Sequence, residues 1–187
     1  MGLRRSQAVT LISGEAVRFL VTLIGRSSIA LPAQWVRGIV MPTAVGRDGL
    51  VTWANVSYEH SDLAGRLKLA SHGRSAETRV VLYGHDRQGR SFAVDKVWGL
   101  VDVERSLIHP LPAHFRGAER DRLLGFFANH DSVALIANPF WVLDLPNRKQ
   151  ALDVFALRLS EHRPEETDVR LQLPVAMLDA VSIGQVG

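Results

Sequence analysis

The chain has 187 residues, of which 47% are hydrophobic and 22% charged, with a formal net charge of +3 and no cysteine. That is enough apolar material for one domain, or for two small units sharing a core, and too much for a disordered chain. The lack of cysteine excludes disulfides, thiol nucleophiles and thiolate metal sites, and fits a reducing cytoplasm.

Residues 1–15 read as an N-terminal lead. Met1-Gly-Leu-Arg-Arg5 offers a basic pair, but Ser13, Gly14 and Glu15 interrupt the apolar residues before a signal-peptide core forms. The most apolar stretch, Ala16 to Ile24, carries Arg18 and is too short to span a bilayer, so no membrane insertion is expected. The same stretch is dense in β-branched and aromatic residues and predicts a strand with Val17, Phe19, Val21 and Leu23 on one face. Gly25-Arg-Ser-Ser28 is a turn by composition, and Ile29-Ala-Leu31 starts the return strand of a hairpin that Pro32 ends. Val36 to Met41 is a third apolar run closed by Pro42. Leu50 to Trp53 and Val56 to His60 follow the turn Gly46-Arg-Asp-Gly49, and Asp62 is placed to cap a short helix carrying Leu63 and Leu67. The Ser-, Gly- and His-rich loop from Ala70 to Ala76 marks the expected seam between two halves.

The second half opens with the strand Arg79-Val-Val-Leu-Tyr83, followed by the turn Asp86-Arg-Gln-Gly89, then Phe92-Ala-Val94 and Val97 to Val103. Pro110 and Pro112 mark an irregular connection. Leu123 to Ala128 and Val133 to Ala137 make a last hairpin around Asn129-His-Asp131, and Asn138-Pro139 begins a helical turn ending near Leu143. Many short strands with regular turn signals predict an all-β fold of barrels or a sandwich. In the C-terminal extension, 146–187, Val154 to Leu159 and the alternating Val169 to Leu173 predict a β-hairpin. Leu173-Pro-Val-Ala-Met-Leu178 echoes Leu31-Pro-Ala-Gln-Trp-Val36, as a repeat of the first hairpin or as chance similarity between short apolar strands. Two extra strands need an edge to pair with, in this chain or in a second copy, so a homodimer through the tail is one expectation.

The search for chemistry finds no catalytic constellation. Of seven histidines, His109 and His114 lie five apart across two prolines, which is no helical ligand pair, and no H-E-x-x-H occurs. There is no G-x-S-x-G elbow and no phosphate-binding loop of the Walker type. Asp95 ends an apolar strand, where an aspartate more often bonds turn amides than performs catalysis. Asp102 and Glu104 alternate along a strand and share an exposed face. A hydrolase would need His109, His114 and a carboxylate to converge. The densest basic cluster, Arg116, Arg120 and Arg122, is broken by Glu119 and Asp121, so a β-barrel nucleic-acid-binding module stands as the alternative rather than the leading function. No cofactor and no metal are expected.

Phe19 to Val40, FLVTLIGRSSIALPAQWVRGIV, resembles the opening of the CheW-like chemotaxis coupling proteins, where a strand, a tight turn and an "ALP" segment precede a "V-R-x-I" run. Arg79-Val-Val-Leu82, Phe92-Ala-Val-Asp-Lys-Val97 and Gly99-Leu-Val101 are similar to the family's "IVV…LLVDEVLGVV". Ile108-His-Pro-Leu-Pro112, Leu124-Gly-Phe-Phe127 and Val133-Ala-Leu-Ile136 are similar to its "IEPLP…ILGVA…VLLL" ending. The resemblance covers about Ala16 to Leu145. It implies two packed five-stranded β-barrels (the first about 16–70, the second about 77–145), no catalytic activity, and a cytoplasmic adaptor at membrane-associated receptor arrays. The implied partners are the regulatory domain of a CheA-like histidine kinase and the tip of a chemoreceptor. Where the family has "NLRG", this chain has Thr52-Trp-Ala-Asn55, so Ala54 replaces an arginine of the partner contacts. Val36-Arg37-Gly38 lacks the family's acidic residue, and Glu59 replaces a proline. The resemblance therefore implies a diverged member with weakened receptor binding, in which Val36, Arg37, Trp53, Ala54 and Asn55 form the partner-binding candidates. Trp53 reads either as a replacement anchor or as a packing residue on a barrel. Trp98 and Trp141, inside apolar runs, are expected in the core.

Overall fold

The structure is a computed structural model and describes residues 16–70, 73, 75–85 and 88–145; the N-terminal lead and the hairpin expected in 146–187 lie outside the described residues. Among the described residues, ten strands form two five-stranded curled sheets. In chain order they are β1 Ala16–Ile24, β2 Ser27–Pro32, β3 Val36–Val40, β4 Leu50–Trp53, β5 Val56–His60, β6 Arg79–His85, β7 Gln88–Val94, β8 Lys96–Glu104, β9 Leu123–Asn129 and β10 Ser132–Ala137. The described residues also form the short α-helices α1 Leu63–Leu67, α2 Ala118–Arg122 and α3 Pro139–Val142.

The first sheet has the order β8-β1-β2-β10-β9 and the second β3-β6-β7-β5-β4. The chain is therefore not divided at the Ala70–Ala76 loop into consecutive halves 16–70 and 77–145. The second barrel, 36–94, is inserted into the first, and the 70–76 loop lies inside it, between β5 and β6. The crossing points explain this arrangement. Pro32 ends β2 and a 3-10 turn over Ala33–Trp35 carries the chain from the first sheet to the second. Asp95, the single residue between β7 and β8, carries it back. β8 then pairs antiparallel along nearly all of β1, from Ala16↔Glu104 to Leu23↔Lys96. This pairing joins residues some eighty positions apart, which hairpin signals in the sequence cannot announce.

The β1–β2 hairpin turns through Gly25 and Arg26, with Leu23 opposite Ser28 and Ile24 opposite Ser27. Gly25 has φ +62, and a Cβ there would collide with the Ala70 carbonyl, so glycine is required on both counts. Asp95 acts as the strand-end reading expects: its carboxylate accepts from the Gly25 amide at 2.6 Å, while its own amide donates to the Leu23 carbonyl at 2.9 Å. The place where the chain returns to the first sheet is thus bonded to the first turn of that sheet.

The main core runs through both sheets, with Phe19, Val21, Ile29, Leu31, Trp35, Val81, Tyr83, Phe92, Phe127 and Ile136 all buried. A second cluster, Val51, Tyr58, Val80 and Leu82, fills the second barrel. β6 serves both, because Val81 and Tyr83 point to the main core while Val80 and Leu82 point the other way. β1 is likewise buried on both faces from Phe19 to Thr22, not on the one face that Val17, Phe19, Val21 and Leu23 define. Strands buried on both sides read as continuous apolar runs rather than alternating ones. Each fully buried Phe or Leu contributes about 2 kcal/mol by removal from water.

The helix ends follow their capping residues. The Asp62 carboxylate accepts from the Gly65 amide at 2.9 Å, and the Asn138 side chain accepts from the Phe140 amide at 3.1 Å. α1 and α3 belong to different barrels, and Arg66 joins them. Its guanidinium donates to the carbonyls of Val142 and Trp141 at 3.0 and 2.8 Å, pairs with Asp144 at 2.7 Å, and lies 4.4 Å over the Trp141 ring. Arg90 of β7 holds the other oxygen of Asp144 at 2.9 Å. Trp141 is half-buried against the core, whereas Trp98 corrects its expected core position: it is 57% exposed. Val21 faces Gly99 and Thr22 faces Val97, so Trp98 is the extra residue of a bulge that turns it out of the barrel.

Candidate interaction surface

The five partner-binding candidates fall in two places that barrel closure brings together. β3 and β4 are the two ends of the second sheet's strand order. Curling brings them to one rim, where a Cβ on Gly38 would sit 3.6 Å from the Trp53 Nε1 and 3.5 Å from Leu82. The bare backbone of Gly38 gives the indole its place. Trp53 shares the inward face of β4 with buried Val51, yet it is 49% exposed. One side of the indole lies beside Gly38 of β3, and about half of the residue is open to solvent.

Trp53 pairs with Val56 across the two-residue turn Ala54-Asn55. Both turn residues have positive φ, 49° at Ala54 and 62° at Asn55, as expected of a tight hairpin turn whose twist matches its strands. Asparagine tolerates that region; alanine is held in it at a cost of about 1 kcal/mol. Ala54 and Asn55 are both exposed. On β3, Arg37 is exposed and its Nε donates to the Gly84 carbonyl at 2.9 Å, which lays the side chain along the end of β6. Val36 is placed differently: it lies opposite Tyr83 and packs, half-buried, against the main core.

Sequence reasoning missed the apolar residues that accompany Arg37. Ile39 is 41% and Met41 52% exposed; Ile39 follows Arg37 by two residues on β3, and Met41 lies just past the strand's end. Leu50 of β4 is also exposed. The signal was the odd-numbered alternation within Val36 to Met41, hidden because both faces of that run are apolar. Among the described residues no three His, Cys, Asp or Glu side chains come together as a metal site would require. His109 and His114 do not converge. The His109 ring lies against Phe126 and the His114 ring against its neighbour Phe115. In the arginine cluster, Arg120 donates to the Phe115 carbonyl at 2.8 Å and Arg122 turns to the Trp141 ring. No helix among the described residues is long and apolar enough to cross a membrane.

Glu59, in place of the family's proline, accepts from Arg90 at 3.0 Å, so the departure is absorbed by a local ion pair.

A model of the CheW-like domain matches residues 18–146. The chain belongs to the CheW-like domain family. Among solved structures it is similar to the scaffolding protein TtCheW from Thermoanaerobacter tengcongensis, with a TM-score of 0.54 and 16% identity, over 66% of this chain and 89% of that one. At that identity the likeness is one of fold. A search of curated proteins finds no match. The matched region ends just past α3 and takes in both sheets, so the inserted second barrel is part of the CheW-like domain and not an addition to it.

Proposed function

We propose that this CheW-like chain is a non-enzymatic adaptor, coupling chemoreceptors to a CheA-like histidine kinase at receptor arrays through protein–protein contacts. The observation that carries the reading is the rim where β3 meets the β4–β5 turn: an indole half out of its barrel lies beside Gly38 of β3, the strand that also exposes Arg37 and Ile39 and ends at exposed Met41. Apolar side chains of this size around an arginine and a tryptophan are the composition of interface anchors. Arg37, Ile39 and Trp53 stand on strands rather than loops, so they are held in place before a partner arrives, which lowers the ordering cost of binding.

Ala54 defines what is weakened. A guanidinium at this turn would offer planar, two-point hydrogen bonding that a methyl group cannot, so the receptor tip is held less tightly than by a family member with the arginine. The test is titration of the full chain with the cognate kinase regulatory domain and with the receptor tip. Trp53→Ala and Arg37→Glu should each weaken binding of at least one partner by roughly tenfold or more, and Ala54→Arg should strengthen receptor binding. Unchanged affinity for both partners in both weakening variants would remove this rim from the interface.

A further inference from the structure

Arg37 is aimed before any partner arrives. The β3–β6 register shifts between Val36↔Tyr83 and Gly38↔Leu82, so Arg37 is the extra residue of a bulge, a device that redirects a side chain. Its Nε is committed to the buried Gly84 carbonyl at 2.9 Å, while both Nη groups meet no acceptor among the described residues. Each described carboxylate of the second barrel is already engaged. Asp48 accepts from the Leu50 amide at 3.1 Å and Asp62 from the Gly65 amide at 2.9 Å; Glu59 pairs with Arg90 at 3.0 Å and Glu77 with Lys96 at 2.6 Å. The surroundings are apolar. Of seven large apolar side chains exposed among the described residues, Ile39, Leu50 and Trp53 stand on β3 and β4, and Met41 at the end of β3.

We propose that the protein docking on this rim brings an Asp or Glu carboxylate to the two Nη groups of Arg37, within an otherwise apolar contact surface. The inference rests on the adaptor reading and names the partner's chemistry at that same site. With Nε occupied, the carboxylate approaches end-on, one oxygen on each Nη, which is the strong, two-point form of the pair. The Gly84 bond holds the guanidinium in place in advance, and apolar neighbours exclude the water that would weaken the contact. A phosphate backbone fits poorly. It is matched by a row of cations, whereas Arg37 and Arg47 are the only arginine or lysine residues from 36 to 60. Arg47 is exposed and has no hydrogen bond that positions it among the described residues, so it serves as the internal control for undirected charge.

Calorimetric titration of the full chain with the kinase regulatory domain and with the receptor tip tests this, each variant being checked for an unchanged circular dichroism spectrum. Arg37→Gln should weaken binding of one of the two by roughly tenfold or more. Arg37→Lys should recover little of it, since an ammonium cannot hold the Gly84 carbonyl and both carboxylate oxygens. Arg47→Gln should change affinity by less than roughly twofold, as expected of an exposed, unpositioned charge. Against Arg37→Glu, the partner's Asp and Glu residues are exchanged for Arg one at a time. One exchange should restore binding to within roughly threefold of the parent pair, a rescue that damage to the fold cannot produce. If the unaltered chain binds neither protein, the adaptor reading fails and this inference falls with it. Binding that tolerates Arg37→Gln, or that Arg47→Gln weakens equally, or that no exchange rescues, overturns this inference alone. Displacement of the bound partner by a DNA duplex assigns Arg37 to phosphate and also overturns it.

Discussion

Tyr83 is fully buried between the two sheets, its ring 6.3 Å from that of Trp35 and 5.9 Å from that of Phe92, and its hydroxyl has no hydrogen-bond partner among the described residues. An unsatisfied buried hydroxyl costs about 1–3 kcal/mol in lost hydration, whereas the ring contacts belong equally to phenylalanine. Tyr83→Phe should therefore stabilise the protein by about 1 kcal/mol, raising Tm by about 4 °C for a folded region of this size. Burial also pushes the Tyr83 phenol well above its usual range. The folded state keeps this proton while the unfolded chain releases it near pH 10. The neutral ring's contribution is thus intact below about pH 10 and declines above it, by up to about 1.4 kcal/mol for each further pH unit. Urea unfolding of both proteins from pH 7 to pH 11 reads both effects, and taking the difference between them removes the other tyrosine and the lysines. If Tyr83→Phe is less stable than the parent by 1 kcal/mol or more, or if both proteins lose stability equally above pH 10, the hydroxyl is satisfied and the reasoning fails.

Three further substitutions test separate contacts by the same unfolding measurement. Ala54→Gly should gain about 0.5–1 kcal/mol by releasing the strain of φ 49°; a loss would mean that the methyl group packs. Asp95→Ala should cost about 1–2 kcal/mol by leaving the Gly25 amide without its acceptor, with Asp95→Asn recovering part of it. Arg66→Ala should cost about 2 kcal/mol, because it frees the last carbonyls of α3 and removes the Trp141 contact. Arg66→Lys should recover little, since an ammonium cannot fork between two carbonyls.

How much of this was legible in the sequence depends on the range of the interaction. Asp62 before Leu63, Asn138 before Pro139, and glycine at the β1–β2 turn act within a few residues, and each does what its type and position predict. Asp95 was readable as a turn-bonding carboxylate, but the turn it bonds lies seventy residues away and no local signal names it. The insertion of one barrel into the other was illegible for the same reason: strands announce themselves by composition, while their partners are chosen by packing over the whole chain. Trp98 shows the limit in a single residue. An apolar run normally marks the inside, and only the register shift opposite Val21 and Thr22, invisible without β1 beside it, sends this indole outward. The rim was half legible. Trp53 and Arg37 stood out, but the exposure of Ile39 and Met41 depends on which face of β3 meets β6.

The departures from the family pattern and the retention of its fold have one physical explanation. Ala54, Asn55 and Arg37 are exposed, and none of them belongs to either core cluster. An alanine at such an exposed turn carries only the modest cost of a strained φ, far below the several kcal/mol that a cavity at Phe92 would carry. The residues that hold the two barrels together behave differently. Trp35 stands where the chain leaves the first sheet, Asp95 stands where it returns, and Arg66 ties α1, between β5 and β6 of the second barrel, to α3 after the last strand of the first. Each makes contacts across the seam, so the inserted topology depends on all three at once. Substitutions at the rim can therefore alter that surface without loosening the barrels, whereas substitutions at the seam change stability and disturb every surface together.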